Sequence, residues 1–259
     1  MSSKYDQMTT IFTPEGRLLQ VEYAISNIEK AGLCVGLTTK EGIILACEKE
    51  LNSKLLETKH SSDKIYKIDK NVAVAVGGLA ADANLLIDWA RVYSQNYYLK
   101  YKNHTPVENI VRFLADEQQI KTQKGSNRPY GAGFLYAGWD RVYGYQLYNG
   151  EPSGVFNCWK AHAIGQNCKN AQSAFKQYYK DEMTLDEGIT LAIRILRKSL
   201  DNNKITGENS KLKFFIFLVQ VFVLTQEKEE FNQCFLKNDV INQHLKKVDE
   251  IEENEKKTK

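Results

Sequence analysis

The sequence predicts a layered α/β sandwich, and two observations carry the prediction. Strand-like runs come in pairs that alternate with pairs of amphipathic helices, whereas parallel βαβ winding places single helices between single strands. In addition, Val72 to Val76 is apolar at every position, the pattern of a strand buried on both faces.

The elements follow in order. Thr13-Pro14-Glu15-Gly16 reads as a turn. Leu18, Val21, Ile25 and Ile28 then recur at spacings of three and four, one apolar helix stripe, with Gly32 as its expected stop. Leu33 to Thr39 and Ile43 to Cys47 flank a short hairpin loop at Lys40-Glu41-Gly42. A second strand pair, Lys64 to Ile68 and Val72 to Val76, surrounds Asp69-Lys70-Asn71.

Leu86, Trp89 and Tyr93 define a helix from about Ala80 to Tyr101. Thr105-Pro106-Val107-Glu108 reads as a capping box with proline at the first helical position, opening a helix with Val107, Ile110, Val111 and Leu114 inward. Gly133 to Trp139, Tyr143 to Leu147 and Ala161 to Ile164 are strand candidates. A helix at Asn167 to Tyr179 buries Ala171, Phe175 and Tyr178. A second capping box, Thr184-Leu185-Asp186-Glu187, opens a helix with Leu185, Ile189, Ile193, Leu196 and Leu200 inward. The chain closes with β-like Phe214 to Thr225 and a charged segment ending Glu252 to Lys257, expected as a solvated or frayed helix.

Composition narrows the function classes. At 259 residues and 42% hydrophobic, the chain fills a substantial core. A net charge of +3 with both signs interspersed demands neither nucleic acid nor an anionic membrane. The cysteines, Cys34, Cys47, Cys158, Cys168 and Cys234, form no C-x-x-C pair and show no metal-ligand spacing with histidine, so reduced thiols in an intracellular protein are expected. Met1 to Thr10 is polar and predicts no secretory leader. The longest apolar stretch, Phe214 to Leu224, is shorter than the roughly 20 residues of a membrane-spanning helix. No P-loop, H-E-x-x-H, G-x-S-x-G or G-x-G-x-x-G occurs, and no cofactor is expected.

The strings Tyr5-Asp6, Thr9 to Phe12, Pro14 to Leu18 and Gln20 to Ala24 together resemble the signature of proteasome alpha-type subunits. Gly78 to Ala83, Arg128 to Gly131 and Pro152 to Gly154 are similar to further parts of that family. Leu135 to Asp140, Tyr143 to Tyr148 and Trp159 to Ala161 are most similar to its alpha-3 type, called alpha type-4 in mammalian naming. The resemblance extends to about Leu200. It implies the four-layer αββα sandwich of N-terminal-nucleophile hydrolases, divided into a gate tail at 1–15, the sandwich domain at 16–236 (with an atypical apolar segment at 211–224) and a charged helix or tail at 237–259. It implies a 20S core particle in cytoplasm and nucleus. There, seven alpha chains form a ring on a ring of beta chains, narrow the passage of substrate and receive regulatory ATPase activators for ubiquitin-dependent degradation. Neither nucleic acid nor membrane is an expected partner.

The same resemblance argues against catalysis. Beta-type relatives use an N-terminal threonine whose own α-amine takes the hydroxyl proton. Aligning Gly36 and Gly42 with the family's first hairpin puts Gly32, which has no side chain, at that position, behind a tail and a helix. Glu48 and Lys64 match the family's acidic and lysine positions, while Cys34 lies in an apolar strand and reads as a buried small hydrophobe. Tyr5, Asp6, Pro14 and Tyr23 match the cluster that holds the gate tail; Gln7 and Met8 stand where the family usually supplies an arginine. Lys64, with Gly78 and Leu79 on the opposite wall, matches the pocket between adjacent alpha subunits that binds an activator's C-terminal carboxylate. Phe214 to Gln220 resembles an insertion before the family strand at Phe222 to Thr225, either an extension covered by a neighbouring subunit or an unspliced segment. Two other classes remain open on sequence: a processed, active threonine or cysteine hydrolase of the same fold, and a free-standing binding module.

Overall fold

A computed structural model describes residues 9–49, 63–124, 127–201, 219–227 and 230–257. A helix α1 (Leu19–Ile28) leads into the hairpins β1 (Cys34–Thr38)–β2 (Ile43–Glu48) and β3 (Ile65–Asp69)–β4 (Val72–Gly78). The helices α2 (Ala80–Tyr101) and α3 (Val107–Gln123) follow, then β5 (Ala132–Asp140), β6 (Gly144–Gly150), β7 (Phe156–Trp159) and β8 (Ala161–Ile164). Helices α4 (Cys168–Tyr178) and α5 (Leu185–Asp201), strands β9 (Val219–Glu227) and β10 (Glu230–Phe235), and helix α6 (Asn238–Lys257) complete the chain.

The strands form two antiparallel sheets in the orders β10-β9-β2-β1-β8 and β3-β4-β5-β6-β7. Because a strand side chain changes face at every residue, each central strand serves two apolar layers. Leu33, Val35 and Leu37 face α4, α5 and α6, and so do Ile44 and Ala46, Val221 and Val223. Cys34, Ile43, Leu45 and Cys47 face the other sheet, where Ala73, Ala75, Leu135 and Leu147 meet them. Val72, Val74 and Val76 face α2 and α3. Helices, sheet, sheet, helices is therefore the order of layers, the αββα sandwich, and the apolar run at Val72–Val76 is buried on both faces.

Several sequence expectations need correction. Helix α1 ends at Ile28, four residues before Gly32, which is buried in the link to β1. β7 and β10 have no counterpart among the predicted strands; both are short edge strands with largely exposed side chains, so neither carries an apolar signature. β9 as described spans Val219–Glu227, and Val219 and Gln220 pair with Glu48 and Cys47, so these two residues of the atypical stretch belong to a paired strand. Residues 214–218 lie outside the described residues.

The C-terminal helix is not solvated on all sides. Ile241, Leu245 and Val248 are buried against α5, and Lys247 reaches Asp186 at 2.8 Å while Thr190 Oγ1 and His244 Nδ1 lie 2.9 Å apart. Arg194 and Arg197 of α5 pair with Glu255 and Asp249. The charge density seen in sequence is thus the outer face and the ion-pair rim of an amphipathic helix.

The two capping boxes part company. At Thr184 the box forms: the Thr184 N–H donates to Glu187 at 3.0 Å and the Glu187 N–H to the Thr184 hydroxyl at 3.4 Å. At Thr105 it does not, because Pro106 is extended (ψ 142°) and the helix starts at Val107. The buried Thr105 hydroxyl turns to Ser94 O at 3.4 Å, and the Val107 N–H is met by Asp140 at 3.4 Å.

Candidate functional site: an encased nucleophile position, a turn and a pocket wall

Gly32 sits in mid-chain, so its nitrogen is an amide and has no lone pair to act as a base. The loop after β8 clasps it. The Gln166 N–H donates to Ala31 O at 2.7 Å, and Gly165 (φ +97°) approaches so closely that a Cβ there lies 2.8 Å from the carbonyls of Ala31 and Gly32. Glu48 is drawn into the same corner. Its Oε2 accepts the Leu33 N–H at 3.3 Å, and its own N–H donates to Leu33 O at 2.8 Å.

Cys34 gives no nucleophile either. It is fully buried, donates towards Val76 O at 3.4 Å, and lies opposite Cys47 in the β1–β2 register. Burial pushes the Cys47 thiol well above its ordinary range, so this cysteine pair is a piece of apolar core.

At the outer end of α1, Thr13 to Gly16 forms the expected turn. The Gly16 N–H donates to Thr13 O at 2.8 Å, the Thr13 N–H to Arg17 O at 2.9 Å, and the Arg17 N–H to the Thr13 hydroxyl at 3.2 Å. Proline occupies the second position, where its fixed φ is preorganised, and Gly16 takes the left-handed φ of +78°. Arg17 grips Glu22 through two N–H groups, one at 2.7 Å. Pro14 and Tyr23 are both exposed, Tyr23 by 49%. Tyr5 and Asp6 lie outside the described residues, as do Gln7 and Met8, so half of the four-residue gate cluster has its position described.

Lys64, Gly78 and Leu79 are brought to one end of the second sheet. Ile65 pairs with Ala75, and the Val76 N–H donates to Lys64 O at 2.9 Å, which places Gly78 two residues beyond. The Lys64 N–H donates to Gln220 Oε1 at 3.2 Å, while Gln220 Nε2 reaches Asp63 at 3.2 Å and Lys49 pairs with Asp63 at 2.9 Å. Gly78 must be glycine: its φ is +106°, and a Cβ there meets Gly131 O at 2.2 Å. Leu79, 46% exposed, donates its N–H to the same carbonyl at 2.9 Å.

Sequence reasoning missed the pair that fixes this wall. Asp82, in the first turn of α2, accepts from the Arg128 guanidinium at 2.9 Å and from the Gly131 N–H at 2.9 Å. Hydrogen bonding to Arg128 holds its carboxyl below the usual range. Both residues stood inside strings quoted for the resemblance; what sequence lacks is the knowledge that the two strings touch.

The family described as proteasome subunit matches residues 28–214, and the N-terminal signature of A-type proteasome subunits matches residues 5–26. The chain belongs to the proteasome subunit family. The alpha type-4 proteasome subunit of Spinacia oleracea is 47% identical over 231 residues, 89% of this chain and 90% of the relative. The alpha type-4-A proteasome subunit of Arabidopsis thaliana is 49% identical over 212 residues, 82% of this chain and 85% of the relative. The similarity thus runs past Leu200, further than the sequence motifs suggested. As an alpha-type member, the chain is a non-catalytic, structural and gating component of the particle. Among the described residues no His, Cys, Asp and Glu group fits a metal ion, and no helix is long and apolar enough to cross a membrane.

Proposed function

We propose that the chain occupies the alpha type-4 place, the alpha-3 position, in the seven-membered outer ring of a 20S proteasome in cytoplasm and nucleus, flanked by other alpha chains and seated on beta chains. The observation that carries this reading is the corner at Gly32: the hydrolase sandwich is kept, while the nucleophile position has no side chain, no free amine and a backbone clasp around it. Such a chain contributes shape and surfaces and leaves the chemistry to its partners.

Two surfaces support the gating role. The turn at Thr13 to Gly16 is fixed by three hydrogen bonds, which sets the direction of the chain entering α1; on this reading the gate cluster is Tyr5, Asp6, Pro14 and Tyr23. Lys64, opposite Gly78 and Leu79, supplies a cation for the C-terminal carboxylate of a docking activator. Replacing Lys64 with alanine is expected to weaken an activator peptide ending in a free carboxylate by about tenfold.

The test is recovery of the tagged chain from its native cells, followed by native mass spectrometry and a peptidase assay. A very large hetero-oligomer with peptidase activity, holding this chain unprocessed near Gly32, is the expected result. A small active species with a new N-terminus at a threonine, serine or cysteine replaces this reading with that of a processed hydrolase, and an inactive monomer replaces it with that of a free binding module.

A further inference from the structure

The Lys64 backbone is tied to both sheets at once. Its carbonyl accepts the Val76 N–H at 2.9 Å, which continues the β3–β4 ladder in the second sheet. Its own N–H crosses to the side chain of Gln220 on β9, in the first sheet, at 3.2 Å. Gln220 is buried, at 8% exposure, and its backbone lies opposite Cys47 in the β2–β9 register, so the amide reaches out from a paired strand. The other end of that amide is used as well: Nε2 donates to Asp63 Oδ1 at 3.2 Å. An amide carries one acceptor and two donors on a single plane, and here it holds two consecutive residues, a backbone donor at Lys64 and a carboxylate at Asp63.

The carboxylate matters because it is an anion next in sequence to the cation of the docking wall. Asp63 Oδ1 also receives the Lys49 ammonium at 2.9 Å, so Lys49 and Gln220 together take up its charge. The Asp63 side chain is 57% exposed, so these hydrogen bonds, and not packing, set its direction. Glu48, the other acid of this corner, is anchored on the Leu33 N–H at 3.3 Å. An arriving terminal carboxylate and a released Asp63 are the same chemical group and compete for the same ammonium. A carboxylate that leaves Gln220 and turns to Lys64 therefore lowers the attraction left for the ligand.

We propose that Gln220 is a positioning residue of the docking wall: it keeps the Asp63 carboxylate on Lys49, so that the Lys64 charge is kept for the terminal carboxylate of an activator. The inference rests on the reading of Lys64 given above. It adds to that reading a residue from the stretch that sequence alone reads as an insertion.

Photolabelling of the tagged native particle tests it. The probe is an activator-derived peptide carrying a benzophenone side chain, made with a free C-terminal carboxylate and, for comparison, with a C-terminal amide. Label on this chain is titrated by peptide mass spectrometry, so pockets formed by other ring subunits do not enter the signal. Gln220→Met matches glutamine in length and loses both hydrogen bonds. It is expected to weaken the free-acid peptide about three- to fivefold, the range of an exposed charge pair, and to leave the amidated peptide unchanged. Adding Asp63→Asn should restore at least the parent affinity. Equal weakening of both peptides, or a loss that Asp63→Asn does not restore, gives Gln220 a purely structural part and overturns the proposal. So does an unchanged Gln220→Met chain beside a weakened Lys64→Ala chain, an outcome that leaves the docking reading intact. A parent particle that takes both peptides equally, with Lys64→Ala no different, overturns the docking reading and this inference with it. Where Gln220→Met does not enter the particle, Gln220→Asn, one methylene too short to hold both groups, takes its place, with the same selective, Asp63-dependent loss expected and the same results overturning it.

Discussion

Arg128 and Asp82, 46 residues apart in the chain, form a two-pronged ion pair that ties the strand-entering segment before β5 to the first turn of α2. The same Asp82 carboxylate accepts the Gly131 N–H, and Gly131 O in turn accepts from Leu79. One carboxylate therefore sets the position of the Gly78–Leu79 backbone through Gly131.

Arg128→Ala is expected to destabilise the chain by about 1–2 kcal/mol at pH 7, at the lower end for a charged hydrogen bond because the arginine side chain is 55% exposed and solvent-screened. The sign with pH follows from the lowered carboxyl. The folded value of Asp82 is below its unfolded value near 4, so the contribution is complete above that pH and fades as pH falls through the folded value. Urea denaturation at pH 7 and pH 3 checks this: the gap between parent and variant should narrow at pH 3, and an equal gap at both values contradicts the ion-pair account.

Gly78→Ala and Gly16→Ala separate steric blockade from backbone strain. Both glycines have left-handed φ, but a Cβ at Gly78 strikes Gly131 O at 2.2 Å whereas at Gly16 nothing lies within 4 Å. The Gly16 change is expected to cost about 1 kcal/mol of strain alone, and the Gly78 change about 2–3 kcal/mol or a displaced 128–131 segment. Thermal unfolding of the two variants side by side decides it; equal losses mean that the Gly78–Gly131 approach relaxes freely.

The two capping boxes give a third comparison. Thr184→Ala and Glu187→Ala each remove a formed cap and are expected to cost about 0.5–1 kcal/mol. Glu108→Ala removes only an exposed pair with Arg112, one helical turn away, and is expected to cost about 0.5 kcal/mol or less. Denaturation midpoints that rank Glu108 with Glu187 contradict the cap assignment.

That contrast also marks what was legible in sequence. Both boxes have the same four-residue form, and both correctly announce a helix; the one at Thr105 stays open because Pro106 is extended and the helix starts at Val107, which leaves the Thr105 hydroxyl to turn back to Ser94 of α2. The central strands were legible because both their faces are apolar, as at Val72 to Val76. β7 and β10 were not, because edge strands have little to bury. For the site, Gly32, Lys64 and Gly78 came from motif matching, whereas Asp82–Arg128 and the Gly165 clasp are long-range meetings that no local pattern encodes.

The last prediction concerns restoring the missing nucleophile. Gly32→Thr supplies the hydroxyl that beta-type relatives use, yet peptidase activity should not appear. A threonine nucleophile of this kind needs its own free α-amine to take the proton. Residue 32 follows Ala31 through an amide, and the Ala31 carbonyl is held by the Gln166 N–H at 2.7 Å, so the chain there is neither cut nor loose. With the particle's beta-type sites blocked irreversibly beforehand, a threonine-directed covalent probe should label no band at the mass of this chain. Labelling of the Gly32→Thr chain means that the corner opens and is processed after all, and that what keeps this chain silent is a single missing side chain and not the encasement around it.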